Sequence, residues 1–483
     1  MSNPTARILE HFEQINSFPR CSKNEARLCH WLQQWAQDRH LAYQCDDEGN
    51  LVVRVPASPG YDGAPTVVLQ GHLDMVCEKT PDSPHDFNKD PIVSHREGEW
   101  LTAHGTTLGA DNGIAVAYML TLAEEHGPAH PALDLLFTVD EETGLNGAKC
   151  LGPDFIQGRL LINLDSEDEG VFTIGCAGGV DTHLVLDGQT EAVPDNAAVY
   201  KIVVGGLKGG HSGIDIHKHR GNANKILART LAHIRSKSAL GLMMLNGGSR
   251  KNAIPRDAQA LFWVEAAQHS WIEDATRQMA AIIKTELAAN ADDFFIQASP
   301  ATDTAGDRKA FSHRDTERAI EVLLALPDGV ARMSADMQEL VETSSNLATM
   351  EMVGNRLCIV TSQRSSIMSR LDEITAAIHS IGRLAAAHVQ DKEAYPAWQP
   401  AMDSELLKQC QDVYRRLYDR EPVIQVIHAG LECAIIGDIF PRMDMISLGP
   451  TLRNAHSPDE RLHIPSITKV WDFLVELLAR MKP

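Results

Sequence analysis

Two spacings of apolar residues alternate along the first part of the chain. Apolar positions three and four apart predict amphipathic helices over residues 5–15 and 23–39, with Leu28, Leu32 and Trp35 on one stripe. Short, nearly continuous apolar runs predict buried strands, with one further helix between them. The strands cover residues 51–55, 66–70, 133–139 and 160–164, and the helix covers 113–125. Strands that alternate with helices predict an α/β fold with a mixed, mostly parallel sheet.

The pattern changes near Pro194 and returns after Pro400. Between them we expect strands at 200–204, 258–265, 344–348 and 357–361, and helices at 223–236, 271–288, 316–325 and 369–387. Asn252 precedes one of these strands and Asn346 lies in a similar segment, which suggests a duplicated α+β unit. Helices at 404–418 and 467–480 and strands at 423–427 and 445–448 complete the chain. We therefore predict one α/β domain in two segments, 1–188 and 392–483, interrupted by an inserted domain over 189–391.

Bulk composition narrows the class of protein. A chain of 483 residues is too long for one hydrophobic core, so two or three domains are expected. The net charge of -21 argues against nucleic-acid and anionic-membrane partners, which bind basic surfaces. The amino terminus has no apolar signal core, and no apolar run is long enough to span a bilayer. Nine scattered cysteines predict reduced thiols in a cytoplasmic protein, without a disulfide framework or a cysteine zinc site.

Adjacent carboxylates follow the predicted strand that ends at Val139. In the run Asp140-Glu141-Glu142-Thr143-Gly144, neighbouring side chains point in different directions. One carboxylate can therefore bind a metal ion while the other takes a proton from metal-bound water, as metal-assisted hydrolysis requires. The alternative is an ordinary solvated loop, because acidic pairs are common there.

Other strand ends and loops carry candidate ligands. His72 and Asp74 share a face, so Asp74 can orient a metal-binding imidazole. Asp111 lies at a helix start after a glycine, where it would also serve as an ordinary helix cap. Asp165 follows a buried strand, and His456 lies in a loop without apolar periodicity. Each alone has a plain structural explanation.

Taken together, these residues predict a metal site. In an open α/β sheet, binding sites form at the carboxyl ends of the strands, where these residues fall. Two histidines and three carboxylates suit two divalent ions of zinc type, about 3.5–4 Å apart and bridged by one carboxylate.

The order of the motifs resembles the di-zinc aminoacylase/carboxypeptidase metallopeptidase superfamily over nearly the whole chain. The motifs are Gly71-His72-Leu73-Asp74, Gly109-Ala110-Asp111-Asn112-Gly113, Asp140-Glu141-Glu142-Thr143-Gly144, Asn163-Leu164-Asp165 and Asn454-Ala455-His456. The long insert and the segment Gly209 to His217 resemble most the aminoacyl-histidine dipeptidase branch (peptidase D, cytosolic carnosinase-like). This resemblance implies a zinc-peptidase catalytic domain interrupted by a lid domain.

The resemblance also implies roles for individual residues. Asp111 would bridge two Zn²⁺ ions, with Co²⁺ or Mn²⁺ as alternatives, and the Asp111–Asn112 peptide bond would be cis. The remaining metal ligands would be His72 and Asp165 on one ion and Glu142 and His456 on the other. Asp74 would orient His72, and Glu141 would be the general base that helps a di-metal-bound hydroxide to attack the substrate.

Residues of the insert and the final segment would contact substrate. By resemblance, His211 would stabilise the developing oxyanion, from its own subunit or from a neighbour in a homodimer. Arg364 would bind the carboxylate of a small dipeptide, since arginine matches a carboxylate with two hydrogen bonds. Asn252, Gly430 and Glu432 are further candidate substrate contacts.

The implied activity is hydrolysis of Xaa-His dipeptides, including β-alanyl-histidine. Another dipeptidase, a tripeptidase or an aminoacylase/deacetylase would use the same ligands. A catalytically silent metal- or peptide-binding relative is a further alternative, although such a protein would have no need of the base Glu141.

Overall fold

The computed structural model describes residues 3–124, 128–301, 308–335, 337 and 339–483. Two compact units make up the chain. Unit 1 contains Met1–Cys176, Trp398–Val426 and Leu431–Pro483, and unit 2 contains Ala177–Ala397 and Ile427–Gly430. The chain therefore changes unit after residues 176 and 397, against the predicted 188 and 391, and Gly430 belongs to the inserted unit.

An eight-stranded mixed sheet forms the centre of unit 1. Its four middle strands are parallel, in the order Leu133–Thr138, Val67–His72, Leu160–Asn163 and Asp444–Ser447. Every residue of the first two is buried, as expected for parallel strands covered on both faces. The other strands of this sheet are Ala42–Cys45, Leu51–Val55, Val171–Cys176 and Val423–Ile427. The predicted mixed sheet is confirmed, and its parallel pairing is concentrated in the middle strands.

Helices and a small second sheet complete unit 1. The helices are Pro4–Asn16, Ala26–Asp38, Ala110–Leu122, Asn146–Lys149, Glu405–Tyr418, Glu432–Ile439 and Ile464–Arg480. The small sheet contains Ser94–Glu97, Trp100–Ala103, Leu452–Arg453 and Arg461–His463. The predicted helix 113–125 thus begins at Ala110, and position 125 lies outside the described residues.

Unit 2 contains two βαββαβ repeats whose strands lie side by side in one sheet. The first repeat has strands Ala197–Gly205, Leu240–Gly247, Ala258–Glu265 and Phe295–Pro300 and helices Ala223–Arg235 and His269–Leu287. The second has strands Gly178–Asp187, Val341–Val353, Arg356–Ser365 and His388–Tyr395 and helices His313–Ala325 and Met368–Leu384. In each repeat the strands lie in the order fourth, first, third, second.

The repeats are nested in the chain. The first repeat is inserted between the first strand and the first helix of the second. Asn252 therefore lies before a third strand, whereas Asn346 lies within a second strand, so these two residues are not equivalent in the duplication. Shorter elements of unit 2 are Thr190–Ala192, Gly210–His211, Ile216–Lys218, Ala253–Ile254, Ala266–Gln268, Ala288–Asn290, Lys309–Phe311 and Gly329–Met333.

Cys21 and Cys77 form a disulfide in unit 1, so the prediction of reduced cysteines is wrong for this pair. The amide of Met75 donates to the carbonyl of Arg20, which brings the two segments together and places the cysteine Cα atoms 5.7 Å apart. A contact of this kind depends on tertiary structure, so the sequence spacing does not reveal it. This pair accounts for two of the nine cysteines of the chain.

Within the described ranges, no helix combines the length and apolar character needed to cross a membrane.

Candidate metal centre

The ends of the parallel strands bring the candidate ligands of unit 1 to one edge of the sheet. His72 is the last residue of its strand, and Asp165 and Glu142 follow two others. Asp111 is the second residue of helix Ala110–Leu122, where its φ of -81° and ψ of 105° are not helical. The peptide bond from Asp111 to Asn112 is cis, which confirms that prediction.

Asp111 stands between the two histidines. Its Oδ1 lies 3.0 Å from His72 Nε2, and its Oδ2 lies 3.0 Å from His456 Nε2. Asp165 Oδ1 is 3.4 Å from His72 Nε2, and Glu142 Oε1 is 3.1 Å from His456 Nε2. The ligand atoms of each three-residue group lie within 4.8 Å of one another. The structure therefore brings the five predicted ligands together as two groups that share Asp111.

These two groups fit divalent cations. Each histidine Nε2 faces two carboxylate oxygens, and a single N–H cannot serve both, whereas a cation between the three atoms attracts them all. Burial disfavours protonation of His456, yet Asp111 and Glu142 outweigh it and raise its pKa to about 11. Imidazole nitrogens combined with carboxylate oxygens are a donor set typical of zinc sites and accepted by related ions.

Asp74 orients His72 from behind. The Nδ1 of His72 lies 3.1 Å from the carbonyl oxygen and 3.3 Å from Oδ1 of Asp74, so Nδ1 carries a proton and Nε2 is the nitrogen that would bind a metal ion. Burial opposes ionisation of Asp74, but His72 and hydrogen bonds from Ser22 and the Glu141 amide lower its pKa to about 2. Asp74 is therefore a fully buried, charged partner of the imidazole.

The same carboxylate fixes the backbone of the acidic pair. Asp74 Oδ1 accepts a hydrogen bond from the Glu141 amide at 3.0 Å, and its Oδ2 accepts one from the Glu142 amide at 3.2 Å. Glu141 can itself join His72 and Glu142 in a group of ligand-type atoms. Burial and the nearby carboxylates raise the pKa of Glu141 well above its ordinary value. Bound cations would draw it back toward the ionised form that a base needs.

Glu432 lies under this cluster and not at a surface. It is fully buried, and its Oε2 accepts hydrogen bonds from Gln70 Nε2 at 2.6 Å and Thr138 Oγ1 at 2.7 Å. Gln70 in turn accepts a hydrogen bond from Asn163, at the end of the next strand. Glu432 is thus part of a polar network that links the strands beneath the candidate ligands.

His211 lies on a turn of unit 2 that fixes its tautomer. Its Nδ1 accepts hydrogen bonds from the amides of Gly213 at 3.2 Å and Ile214 at 3.1 Å, so the proton of the neutral ring is on Nε2. The amide of His211 donates to Asp215 Oδ2 at 2.9 Å. The turn therefore presents His211 Nε2 as a hydrogen-bond donor.

Arg364 and His428 are buried close together in unit 2. Arg364 is 8% exposed and donates from NH1 to the hydroxyl of Tyr395 at 2.7 Å. Ser344, its partner across the strand pair, lies 2.7 Å from His428 Nε2. Burial, followed by the positive charges of Arg364 and His211, lowers the pKa of His428 to about 3.

The remaining predicted substrate contacts, Asn252 and Gly430, also lie in unit 2. Asn252 is exposed, and its carbonyl accepts a hydrogen bond from the Ser212 amide at 2.8 Å. Gly430 is half-buried at the end of the short segment that contains His428.

Sequence reasoning missed two charged residues that hold the candidate ligands in place. Arg20 is 1% exposed and donates to backbone carbonyls of the ligand-bearing segments. Glu460 is 2% exposed and accepts hydrogen bonds from amides at the start of the helix that carries Asp111. The only signal for Glu460 was its place in the His456 loop, and nothing in the sequence pattern distinguished Arg20.

Fold and donor set together define a class: hydrolases whose α/β sheet carries a site for two metal ions at the carboxyl ends of its parallel strands. Residues 68–480 match the model of peptidase family M20/M25/M40, and the chain belongs to that family. The cytosol non-specific dipeptidase of Escherichia coli (strain K12) is 41% identical over 470 residues, which are 97% of this chain and 96% of that protein.

Solved structures agree with the family assignment. The crystal structure of the aminoacylhistidine dipeptidase from Vibrio alginolyticus matches with a TM-score of 0.88 and 38% identity, covering 99% of this chain and 97% of that chain. The crystal structure of the aminopeptidase PepT from Bacillus cereus matches with a TM-score of 0.58 and 16% identity, covering 99% and 98%, and it shares the fold alone.

Proposed function

We propose that this chain is a metallo-dipeptidase that hydrolyses Xaa-His dipeptides, including β-alanyl-histidine. The observation that carries the proposal is Asp111, whose two oxygens face His72 and His456, each within a separate group of ligand-type residues. The similarity to two dipeptidases over nearly the whole chain supports the substrate class.

Residues of unit 1 would bind the metal ions and transfer the protons. His72 and Asp165 would hold one Zn²⁺, Glu142 and His456 the other, and Asp111 both. When bound, the two ions would polarise the scissile carbonyl and make water a nucleophile near neutral pH. Glu141 accepts the proton of the attacking water and passes it to the leaving amine, which places the same carboxyl in both proton transfers.

His211 supplies a donor for the carbonyl oxygen as that oxygen becomes negative. The two amides that donate to Nδ1 favour the tautomer with the proton on Nε2, which is the one this role requires. His211 would act in its own subunit or on the partner in a homodimer.

Arg364 is proposed to bind the free carboxylate of the dipeptide. Its buried guanidinium carries a positive charge, so it would attract a carboxylate to this region of unit 2. A longer peptide lacks a carboxylate at that position, which would explain selection for dipeptides. Asn252 and Gly430 are the other proposed substrate contacts, whereas Glu432 is fully buried and would act on substrate indirectly, through its polar network.

Two substrate ranges follow from the relatives. Similarity to the aminoacylhistidine dipeptidase favours a histidine leaving group. Similarity to the non-specific dipeptidase favours a wider range of dipeptides, and its name supports a cytoplasmic location for this chain. Zn²⁺ is the proposed metal, with Co²⁺ or Mn²⁺ as alternatives.

A kinetic panel tests the function. Hydrolysis rates are measured before chelation, after chelation and after addition of zinc. The substrates are β-alanyl-histidine, other Xaa-His dipeptides, α-dipeptides without histidine, tripeptides and N-acetyl amino acids. We expect hydrolysis of dipeptides only, lost on chelation and restored by zinc. Preferential hydrolysis of tripeptides or N-acetyl amino acids would overturn the proposal, and equal rates on all dipeptides would favour the wider range.

A further inference from the structure

Arg20 connects two segments that carry candidate ligands. Its NH1 donates to the carbonyls of Leu73 and Asp74, both at 3.0 Å, in the segment directly after His72. Its NH2 donates to the carbonyl of Gly109, in the turn before Asp111. One buried guanidinium therefore sets the distance between the His72 segment and the Asp111 turn.

Two glycines of the Asp111 motif leave room for this guanidinium. A Cβ on Gly109 would lie 2.5 Å from Arg20 NH2, and a Cβ on Gly113 would lie 2.7 Å from the same atom. Gly109 also has a φ of +73°, which side chains other than glycine rarely adopt. The glycines on either side of Asp111 are thus explained by Arg20.

Glu460 holds the same turn from the other side. Its Oε2 accepts hydrogen bonds from the amides of Leu108 at 2.7 Å and Gly109 at 3.0 Å. Its Oε1 accepts them from Ala110 at 2.8 Å and Asp111 at 3.3 Å. A carboxylate at a helix start is favoured by the helix dipole. Because Glu460 belongs to the loop of His456, it also fixes that histidine relative to Asp111.

The charge and shape of Arg20 both matter in this position. Burial lowers the pKa of Arg20 to about 10, while Glu460, Asp74 and Asp111 favour its charged form, so it is protonated at neutral pH. Its planar fork reaches carbonyls on two segments at once, which a lysine ammonium cannot reproduce.

We propose that Arg20 and Glu460 are positioning residues that form a clamp around the Asp111 turn and hold Asp111 ready to bridge two cations. The clamp acts on metal affinity through Asp111 and touches neither substrate nor metal. The inference rests on the proposed function only in taking Asp111 as the shared ligand.

The test uses Arg20→Lys and Glu460→Gln in the full chain. Zinc affinity is measured by competition with a chromophoric chelator, and the melting temperature of the metal-free protein is recorded separately. We expect zinc binding about 10- to 100-fold weaker, the usual effect of removing a partner behind a metal ligand. The loss of dipeptidase activity should be larger at limiting zinc than at saturating zinc.

Matched controls come from the other end of the same helix. Arg7 donates from Nε to Glu124 at 2.9 Å and 3.1 Å, two residues beyond the end of helix Ala110–Leu122. Arg7→Lys and Glu124→Gln should lower the melting temperature without changing zinc affinity. Glu460→Gln keeps the size of the side chain, so it remains informative if Arg20→Lys does not fold.

The outcomes separate the clamp from the proposed function. Wild-type protein that fails to bind two zinc ions or to hydrolyse dipeptides would overturn the function. If the wild-type protein binds two zinc ions and hydrolyses dipeptides, while the Arg20 and Glu460 variants lose thermal stability but keep full zinc affinity, only the clamp proposal would be overturned. Weaker zinc binding in the clamp variants but not in the Arg7 and Glu124 controls would support it.

Discussion

The carbonyl oxygen of His428 lies 2.0 Å from the point where a Cβ on Gly213 would sit. Gly213 is also the residue whose amide donates to Nδ1 of His211. The segment that contains His428 therefore presses directly against the turn that sets the tautomer of His211, and only glycine permits this approach.

Replacement of Gly213 by alanine should lower catalysis without affecting metal binding. Overpacking of this kind costs about 1–3 kcal/mol and would be relieved by moving the turn of His211. Because a displacement near 1 Å can cost about 10²-fold in rate, we expect a fall of that order in kcat for dipeptides. Gly152→Ala is the control, since among the described residues no heavy atom beyond Gly152 and its two chain neighbours lies within 4 Å of the new Cβ. Unchanged kcat in Gly213→Ala would contradict the role given to this turn.

Asp74→Asn should weaken zinc binding. The asparagine keeps the size of the side chain but removes the charge that favours the Nδ1 proton of His72, so we expect about a 10- to 100-fold loss of affinity. The control is Asp134→Asn. Asp134 is 1% exposed and accepts backbone hydrogen bonds at the far end of the neighbouring strand. Equal zinc affinity in both variants, measured by chelator competition, would rule out the orienting role.

Glu141→Gln should separate metal binding from hydrolysis. We expect this variant to bind two zinc ions and to lose about 10²–10⁴-fold in kcat, the usual contribution of a general base. Asp140→Asn should keep its activity, because the Asp140 side chain accepts hydrogen bonds from Thr143 and Asn146 within its own turn, and its amide donates to the Glu25 carboxylate. Metal content and dipeptide hydrolysis are measured on the same preparations. Normal turnover in Glu141→Gln would disprove the assignment of the base.

Buried His428 should make the chain less stable as the pH falls. Burial and the charges of Arg364, His211 and His217 hold its folded pKa near 3, below the ordinary value of about 6.5 in the unfolded chain. Below pH 6.5 the unfolded chain binds a proton that the folded chain does not, so stability is lost from pH 6.5 down toward pH 3. The contribution is about 1.4 kcal/mol per pH unit.

Denaturant unfolding of wild type and His428→Gln at several pH values measures this effect. As the pH is lowered, the free energy of unfolding should fall more for wild type than for His428→Gln. His388→Gln removes an 83% exposed histidine from the same unit and controls for the loss of one imidazole. Parallel pH profiles for wild type and His428→Gln would count against a neutral, buried His428.

Reduction should destabilise the wild-type chain through Cys21 and Cys77. The disulfide closes a loop of 56 residues, and such cross-links contribute about 2–4 kcal/mol. Dithiothreitol should lower the melting temperature of wild type but not of Cys21→Ser/Cys77→Ser. Thiol titration of the unreduced, denatured protein should not detect Cys21 and Cys77, and reduction should add two thiols to the count. A titration of nine would show that the bond does not form in solution.

The sequence predicted the positions of candidate ligands where they directly follow an apolar strand pattern. His72, Glu142 and Asp165 follow continuous apolar runs, and parallel strands bring such ends to one edge of a sheet, so their proximity could be predicted. The roles of Glu460 and Arg20 could not be predicted from the sequence. The burial of each charged side chain is explained only by the backbone carbonyls or amides that surround it in the folded structure. The Cys21–Cys77 contact likewise depends on the path of the folded chain.

The nesting of the repeats in unit 2 also could not be predicted from the sequence, because one strand lacks a clear apolar pattern. The strand Gly178–Asp187 begins with two glycines and includes Asp181 and His183, so it lacks the apolar run that marked other strands. Without it, the second repeat is missing its first strand, and the duplication can be seen only as an approximate similarity between two halves.

That nesting has a consequence for synthesis on the ribosome. The strand Gly178–Asp187 emerges before the first repeat, yet its hydrogen-bonding neighbours are Arg356–Ser365 and His388–Tyr395, which are made much later. The first repeat, over residues 197–300, has all its own strands and helices by then. Both edges of this early strand therefore remain unpaired while the entire first repeat is translated. Unpaired strand edges are prone to aggregation, and chaperones bind such regions of nascent chains.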